Sequence, residues 1–413
     1  MGNGRLGIGI VGSGFVARFH IQALVSVRDV EVVAIMSPTR EHAEEAAALA
    51  KGLSVGSPKL YSSVGDMVAD PAVDAVWICS PNDTRVAVVE EIVDRVERGA
   101  ELKGLACEKP LARTVAEGRR MLELVKRASL PHGYLENQLF APSLTRGKEI
   151  LWRRAVPITG RPYLARAAEE HSGPHMPWFW SGARQGGGVL NDMLCHSYEA
   201  GRFLLAAPDE PGAALTVTDV SAEIASLKWT RREYVEALRE QTGGAVDYSR
   251  APSEDYARAS VRLRTPEGLL VIVEATTSWV FIGSGLRLRI ELLGPEYSME
   301  IDTLNSELHV FLGRRVTGSE GEDLVEKQNA EQGLMPVVPD EPASYGYVAE
   351  NRHMVRAFLG GRTPDETWED GLAVTTVLMA CYLSAERGEV VHLPAPELET
   401  FVPAVARESW SPG

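Results

Sequence analysis

Leu6-Gly7-Ile8-Gly9-Ile10-Val11-Gly12-Ser13-Gly14-Phe15-Val16-Ala17 is the stretch that decides the fold. A short apolar run ends at two glycines, and a helical pattern continues through Phe19, Ala23 and Leu24. This is the strand, glycine turn and helix order of a dinucleotide-binding unit. Gly12 makes the turn. Gly14, followed by Phe15 and Val16, lets a pyrophosphate reach backbone N–H groups at the helix N-terminus, where the dipole favours anions. Ala17 stands where a third glycine is usual and still permits close helix–strand packing.

Working outward, strands and helices alternate. Strands are expected at Val30–Met36, Val73–Cys79, Leu102–Cys107 and His132–Leu135. Helices are expected at Glu41–Lys51, Val64–Ala69, Thr84–Arg98 and Val115–Arg127. Such repeats imply a parallel sheet with right-handed crossovers, whose ligands sit at the carboxyl ends of the strands. Those ends carry Gly12–Gly14, Ser37, Ser80-Pro81-Asn82, Glu108-Lys109-Pro110 and Glu136-Asn137. An acid after the second strand would bind the ribose 2′-hydroxyl of NAD, and an Arg suits the 2′-phosphate of NADP. Here Ser37 and Arg40 lie in that place with no acid, so a nicotinamide dinucleotide with NADP favoured is expected.

Around Leu139 the alternation stops. A helix at Pro142–Arg154 and a strand at Tyr163–Glu169 lead to an aromatic loop, His171-Ser172-Gly173-Pro174-His175-Met176-Pro177-Trp178-Phe179-Trp180. Then comes Gly186-Gly187-Gly188, followed by a helical run in which Asn191 is placed to cap the first turn. The glycines imply a tight turn or a close approach to a ligand. Asp192 and His196 are one helical turn apart on one face. Beyond Gly201, strands at Thr216–Trp229, Ala259–Leu263, Leu269–Thr277, Leu286–Leu293, Tyr297–Ile301 and Glu307–Leu312 alternate as in an antiparallel sheet with one wet face. Thr230–Asp255 and Gly313–Pro342 read as surface excursions, and Glu254-Asp255-Tyr256 as a polar turn. Helices close the chain at Tyr347–Leu359 and Glu369–Arg387. The expected division is a dinucleotide domain at 1–138, a substrate-binding and self-associating α/β domain at 139–393, and a tail at 394–413.

The 413 residues exceed one ordinary core, and 45% hydrophobic with 24% charged residues is a globular composition. A net charge of −15 argues against nucleic acid and anionic membranes as partners. No apolar run approaches a membrane span. The four cysteines are single and scattered, and no signal-peptide core is visible at the start, so a cytoplasmic location is expected.

The glycine turn GxGxxA, the strand ending Ser80-Pro81-Asn82, the triplet Glu108-Lys109-Pro110, and GGG followed by Asp192 and His196 resemble the glucose–fructose oxidoreductase / inositol dehydrogenase / rhizopine-catabolism (Gfo/Idh/MocA) family. The resemblance covers nearly the whole chain in the family's order. It implies a Rossmann domain, an α/β domain with an open and mostly antiparallel sheet, and NAD(P)-dependent oxidation or reduction of a sugar, polyol or related cyclic alcohol. It places the family's lysine on Lys109, its carboxylate on Asp192, and its acid/base histidine on His196. Glu108 and Asn82 match positions near the cofactor ribose and nicotinamide. Where many members carry a His after Ser-Pro-Asn, this chain has Arg85.

The candidate dinucleotide contacts are therefore Gly12, Gly14, Phe15, Val16, Ser37, Arg40, Ser80, Pro81, Asn82, Glu108 and Lys109. Lys109 would stabilise a substrate alkoxide, His196 would carry the hydroxyl proton, and Asp192 would orient them. Asn137, His171, Trp178, Trp180 and Arg184 are candidates for holding substrate, the tryptophans by stacking on a sugar ring. Trp178 and Trp180 read equally well as packing for their loop. The His171–His175 loop lacks metal-ligand spacing, so no metal is expected. The expected partners are a small carbohydrate or polyol and further copies of the chain, joined through the second domain's sheet. Two other function classes use the same residues: a redox-neutral glycosidase working by transient oxidation, and a cofactor-binding sensor.

Overall fold

The structure is a computed structural model that describes residues 4–208, 210, 214–312, 324–330 and 332–412. Part of the expected excursion at 313–342, namely 313–323 and 331, lies outside those residues. The chain divides into two compact units, 1–141 with 345–375, and 142–344 with 376–413.

The first unit follows the alternation. Its strands are β1 (Leu6–Val11), β2 (Val30–Met36), β3 (Lys59–Tyr61), β4 (Ala75–Ile78), β5 (Gly104–Glu108) and β6 (His132–Leu135). Between them run α1 (Phe15–Leu24), α2 (Arg40–Gly52), α3 (Val64–Val68), α4 (Arg85–Glu97) and α5 (Val115–Arg127). The sheet order is β3-β2-β1-β4-β5-β6, and all its pairings are parallel. The order reverses between β1 and β4, which opens a crevice at their carboxyl ends. β1 and β4 are buried throughout, because a doubly wound sheet is covered on both faces.

The second unit begins with α6 (Pro142–Arg154), α7 (Val156–Thr159), β7 (Leu164–Glu170), α8 (Gly182–Gln185) and α9 (Val189–Leu205). Then follow β8 (Thr216–Ala225), α10 (Arg232–Gln241), β9 (Tyr256–Arg264), β10 (Leu270–Ser278), β11 (Arg287–Gly294) and β12 (Tyr297–Asp302). β13 (Leu308–Leu312) and β14 (Gly333–Val337) pair with each other, α11 covers Glu341–Ser344, and β15 is Val391–His392. The large sheet runs β12-β11-β7-β10-β9-β8-β15. Among the described residues only the β7–β10 pairing is parallel; the others are antiparallel. In β9 the residues Ala257, Ala259, Val261 and Leu263 are buried while Arg258, Arg262 and Arg264 face water. That alternation gives the sheet one dry face, on which α9 packs against β7 and β10. The contact is close at Gly201, where a Cβ would press into Val273.

Two helices remain, α12 (Tyr347–Leu359) and α13 (Trp368–Arg387). The domain division expected from sequence gives residues 345–375 to the second domain, whereas α12 packs into the first unit. Its Met354, Val355 and Phe358 are buried in the same core as Ile8, Ile10 and Trp77. A Cβ on Gly104 would collide with the Phe358 ring, so β5 is shaped to receive this helix. Burial of the apolar face of α12 by the sheet explains the assignment. α13 starts in the first unit and continues into the second.

The excursion expected at Thr230–Asp255 is not a bare loop. It contains α10 and buries Leu238, Val246, Tyr248 and Ser253. No helix among the described residues is long and apolar enough to cross a membrane.

Candidate active site

In the first unit, the two glycines of the turn have separate reasons to be there. Gly12 has φ +101°, and a Cβ on it would lie 2.8 Å from the carbonyl oxygen of Cys79. It is required by the backbone and by the approach of β1 to the end of β4. Gly14 has extended backbone and open space where a Cβ would be. It caps α1 without any side-chain hydrogen bond, and the first turn of α1 contains no acid. The amide groups of that turn thus have the vacancy and polarity that a pyrophosphate fits. Phe15 is exposed and Val16 half-buried at the same place. Ser13 Oγ donates to Ser37 Oγ at 2.9 Å, which joins the ends of β1 and β2. Arg40 is exposed and pairs with Glu44 one turn along α2 at 2.8 Å.

The next strand ends are tied together by Arg85, which is 3% exposed. Its Nε donates to the Ser80 carbonyl at 3.1 Å, and Nη1 to the Glu108 carbonyl at 2.5 Å and to the Pro110 carbonyl. Nη2 donates to the Lys109 carbonyl at 3.3 Å. Ser80 and Asn82 are buried, Pro81 and Lys109 half-buried. The Glu108 carboxylate turns inward. Oε1 meets His20 Nε2 at 2.9 Å, and Oε2 accepts the Lys109 N–H at 3.1 Å. Burial alone would raise the Glu108 pKa; the His20 hydrogen bond and the nearby Lys109 and Arg85 charges outweigh it and hold the carboxyl low.

Asn351 of α12 completes this network. Its Oδ1 accepts from the indole N–H of Trp77 at 3.0 Å, while Nδ2 donates to His20 Nδ1 at 2.9 Å. Because indole only donates, the amide orientation is fixed, and His20 presents its Nε2 proton to Glu108. Glu350, the preceding residue, is fully buried. Neither carboxyl oxygen has a hydrogen-bond partner, and burial together with the neighbouring Glu108 and Glu136 pushes its pKa well up. Asn137, a substrate candidate, donates its amide to the Tyr345 carbonyl at 2.7 Å.

In the second unit, Asp192 and His196 lie on α9, each 5% exposed, just past the three glycines. The close approach those glycines permit is to the protein itself. Gly186 is left-handed and ends α8. A Cβ on Gly187 would strike the Tyr382 hydroxyl, and one on Gly188 would strike Glu254. Glu254 Oε1 accepts from Gly188 N–H (2.9 Å), Leu190 N–H (3.1 Å) and Tyr382 O–H (2.6 Å). The Glu254 carbonyl accepts from Val189 N–H (3.1 Å), and Tyr382 Oη from Gly188 and Asn191 N–H (3.1 and 3.2 Å). Two remote residues thus cap the amides that start α9. Asn191, expected to be the cap, instead donates its side-chain amide to the backbone and side-chain oxygens of Gln185 (2.8 and 2.9 Å).

Glu254 and Asp255 are therefore not a polar surface turn, since both are 0% exposed. The Asp255 carboxylate accepts from Leu227, Lys228 and Trp229 N–H groups at 2.7–2.9 Å. Burial raises the Glu254 pKa to about 7, against the lowering effect of its hydrogen-bond donors.

The remaining substrate candidates divide. Trp180 is buried, donates Nε1–H to the Pro174 carbonyl (3.1 Å), and packs against Trp229, Tyr248 and Trp279 with ring centroids 4.7–5.8 Å apart. Trp178 is half-buried and stacks on Phe179 at 3.8 Å. His171 is buried and accepts Gly173 N–H at Nδ1 (2.9 Å), so a neutral ring carries its proton on Nε2. Arg184 is exposed. Sequence reasoning passed over His20, Glu254 and Tyr382. A histidine on the apolar side of α1 was a visible signal, whereas nothing local marks Glu254 or Tyr382, which act on a helix remote in sequence.

An oxidoreductase family model with an NAD-binding Rossmann fold, Gfo/Idh/MocA, matches residues 6–133, and the C-terminal domain model of the same family matches 158–300. D-apiose dehydrogenase of Paraburkholderia graminis is 25% identical over 97% of this chain and 92% of its own. Levoglucosan dehydrogenase of Pseudarthrobacter phenanthrenivorans is 24% identical over 94% of this chain and 98% of its own. 1,5-anhydro-D-fructose reductase of Ensifer adhaerens is 27% identical over 64% of this chain and 74% of its own. Among solved structures, GenD2 from gentamicin A biosynthesis in complex with NAD superposes with a TM-score of 0.75. It is 23% identical and covers 95% of this chain and 97% of its own, a likeness of fold.

Proposed function

This chain belongs to the Gfo/Idh/MocA oxidoreductase family, and we propose that it moves hydride between a nicotinamide dinucleotide and a hydroxyl-bearing carbon of a sugar, polyol or related cyclic alcohol. The observation that carries the reading is the glycine turn at the end of β1, where Gly14 leaves open space beside the N-terminus of α1. The names of the relatives, which are sugar and polyol dehydrogenases and reductases, supply the substrate class.

When bound, the nicotinamide accepts or gives the hydride. The chain's own residues do the rest. His196 removes the substrate hydroxyl proton during oxidation and returns it during reduction. The Lys109 ammonium stabilises the oxygen as negative charge develops on it. Asp192, one turn before His196, orients the hydroxyl and the imidazole. Trp178 remains the aromatic candidate for a sugar ring, since Trp180 is enclosed by its neighbours.

A preference for NADP is part of the proposal. β2 ends without an acid, and the exposed Arg40 pairs with the exposed Glu44, a kind of pair that contributes little. A cytoplasmic location and self-association through the second unit are also proposed, and sedimentation of the purified chain tests the latter.

The central test is a panel of sugars and cyclitols with each dinucleotide, read at the reduced nicotinamide absorbance. Net reduction supports the proposal. Dinucleotide binding with release of a chromogenic aglycone and no net reduction would replace it by redox-neutral chemistry.

A further inference from the structure

We propose that Arg85 is the positioning residue for Lys109. The assignment rests on the hydride-transfer reading only in giving Lys109 a catalytic task. Its geometric basis lies wholly within the first unit. Lys109 stands at the carboxyl end of β5, and Ser80-Pro81-Asn82 at the carboxyl end of the adjacent β4. The carbonyls where β4 and β5 end leave their strand ladders, so they need partners from elsewhere. Arg85 supplies them. One planar group reaches the carbonyls of Ser80, Glu108, Lys109 and Pro110.

Only arginine does this. Guanidinium has five N–H groups in a fixed fork, and four acceptors are met here across three nitrogens. The histidine expected from the family resemblance has at most two donors, and a lysine has three on one point. The acceptors are all neutral carbonyls, so the buried guanidinium keeps its full positive charge beside the Lys109 main chain. The fork joins the two strand ends to each other. It fixes the root of Lys109 relative to the Asn82 turn, where a dinucleotide at the crevice would pass. The Arg85 cation and the Lys109 ammonium both act on the Glu108 carboxylate, so the Arg85 charge weakens that carboxylate's hold on the ammonium.

The test uses the full chain with Arg85→Lys and Arg85→Gln, checked for folding by circular dichroism. Two quantities are read: affinity for NADPH by fluorescence titration, and the pH midpoint of Lys109 acylation by acetic anhydride, followed by peptide mass spectrometry. In Arg85→Gln the midpoint should rise by about half a pH unit or more, as expected when a nearby cation is removed, and NADPH should bind about tenfold more weakly, the scale of a small misplacement. Arg85→Lys restores the charge without the fork, so it should recover the midpoint and not the affinity. An unchanged midpoint in folded Arg85→Gln, or full affinity in Arg85→Lys, overturns the proposal. Should Arg85→Gln not fold, Arg85→His read above the imidazole's own titration supplies the neutral comparison. If the wild-type chain binds neither NADPH nor NADH, the hydride-transfer reading fails, while the Lys109 midpoints still decide the role of Arg85.

Discussion

Replacing Glu254 by Gln should flatten the dependence of the second unit's stability on pH. The wild-type carboxyl is fully buried at the start of α9, and its pKa is pushed from 4.5 to about 7. Near pH 4 it is protonated in the folded and unfolded chains alike. Between about pH 4.5 and 7 the unfolded chain ionises while the folded one keeps its proton, so stability falls as pH rises. Above 7 the penalty is constant. The gap between 4.5 and about 7 corresponds to about 3 kcal/mol. Gln keeps an acceptor for Gly188, Leu190 and Tyr382, but places an NH2 where Oε2 has no hydrogen-bond partner. The protonated wild-type carboxyl carries an O–H on the same partnerless Oε2, so the unmet donor is common to both proteins at low pH. The two are therefore close in stability at pH 4.5, and the variant is the more stable by pH 7.5. Urea unfolding read by pulsed hydrogen exchange of the 186–205 peptide isolates this helix from the first unit. The wild-type-minus-variant difference should fall by about 3 kcal/mol between pH 4.5 and 7.5, the linkage from the pKa gap. Parallel curves for the two proteins across that range would refute the burial argument.

Gly14→Asp should leave the fold intact and abolish dinucleotide binding in calorimetry, because its side chain meets no neighbour and brings charge to the anion position. Gly12→Ala, with φ +101° and the Cys79 carbonyl in the way, should lower the melting temperature of the first unit instead. His196→Ala should reduce turnover by about a hundred- to ten-thousand-fold on whichever substrate the panel finds, with dinucleotide affinity nearly unchanged; full activity would remove His196 from the mechanism. Phe358→Ala should destabilise the first unit by about 3–5 kcal/mol in denaturant unfolding, since its ring is buried in that unit's core. If NADP is preferred, Arg40→Ala should narrow the ratio of NADP to NAD dissociation constants.

Local sequence carried the first unit's plan, because its signals are local. β1, the glycine turn and α1 are contiguous, and the 2.0 and 3.6 periodicities of strand and helix can be read within each segment. β2, β6 and α5 fall at their expected bounds for that reason. The glycine turn between β1 and α1 also pointed to the dinucleotide-binding class that the family match bears out, since the signal is contiguous in sequence. What the sequence could not contain were the long-range closures. α12 belongs to the first unit because its Phe358 and Met354 fill the space over Gly104 of β5 and Gly133 of β6, and nothing in 345–375 alone specifies a sheet some 200 residues earlier. The triple glycine read as a tight turn or a close approach to a ligand, whereas it approaches Tyr382 and Glu254 of the chain itself, as amides can be capped by any acceptor the fold delivers. Arg85 was visible only as a departure from a family pattern. Its hold on four carbonyls arises because β4 and β5 lie side by side, which is a fact of tertiary structure.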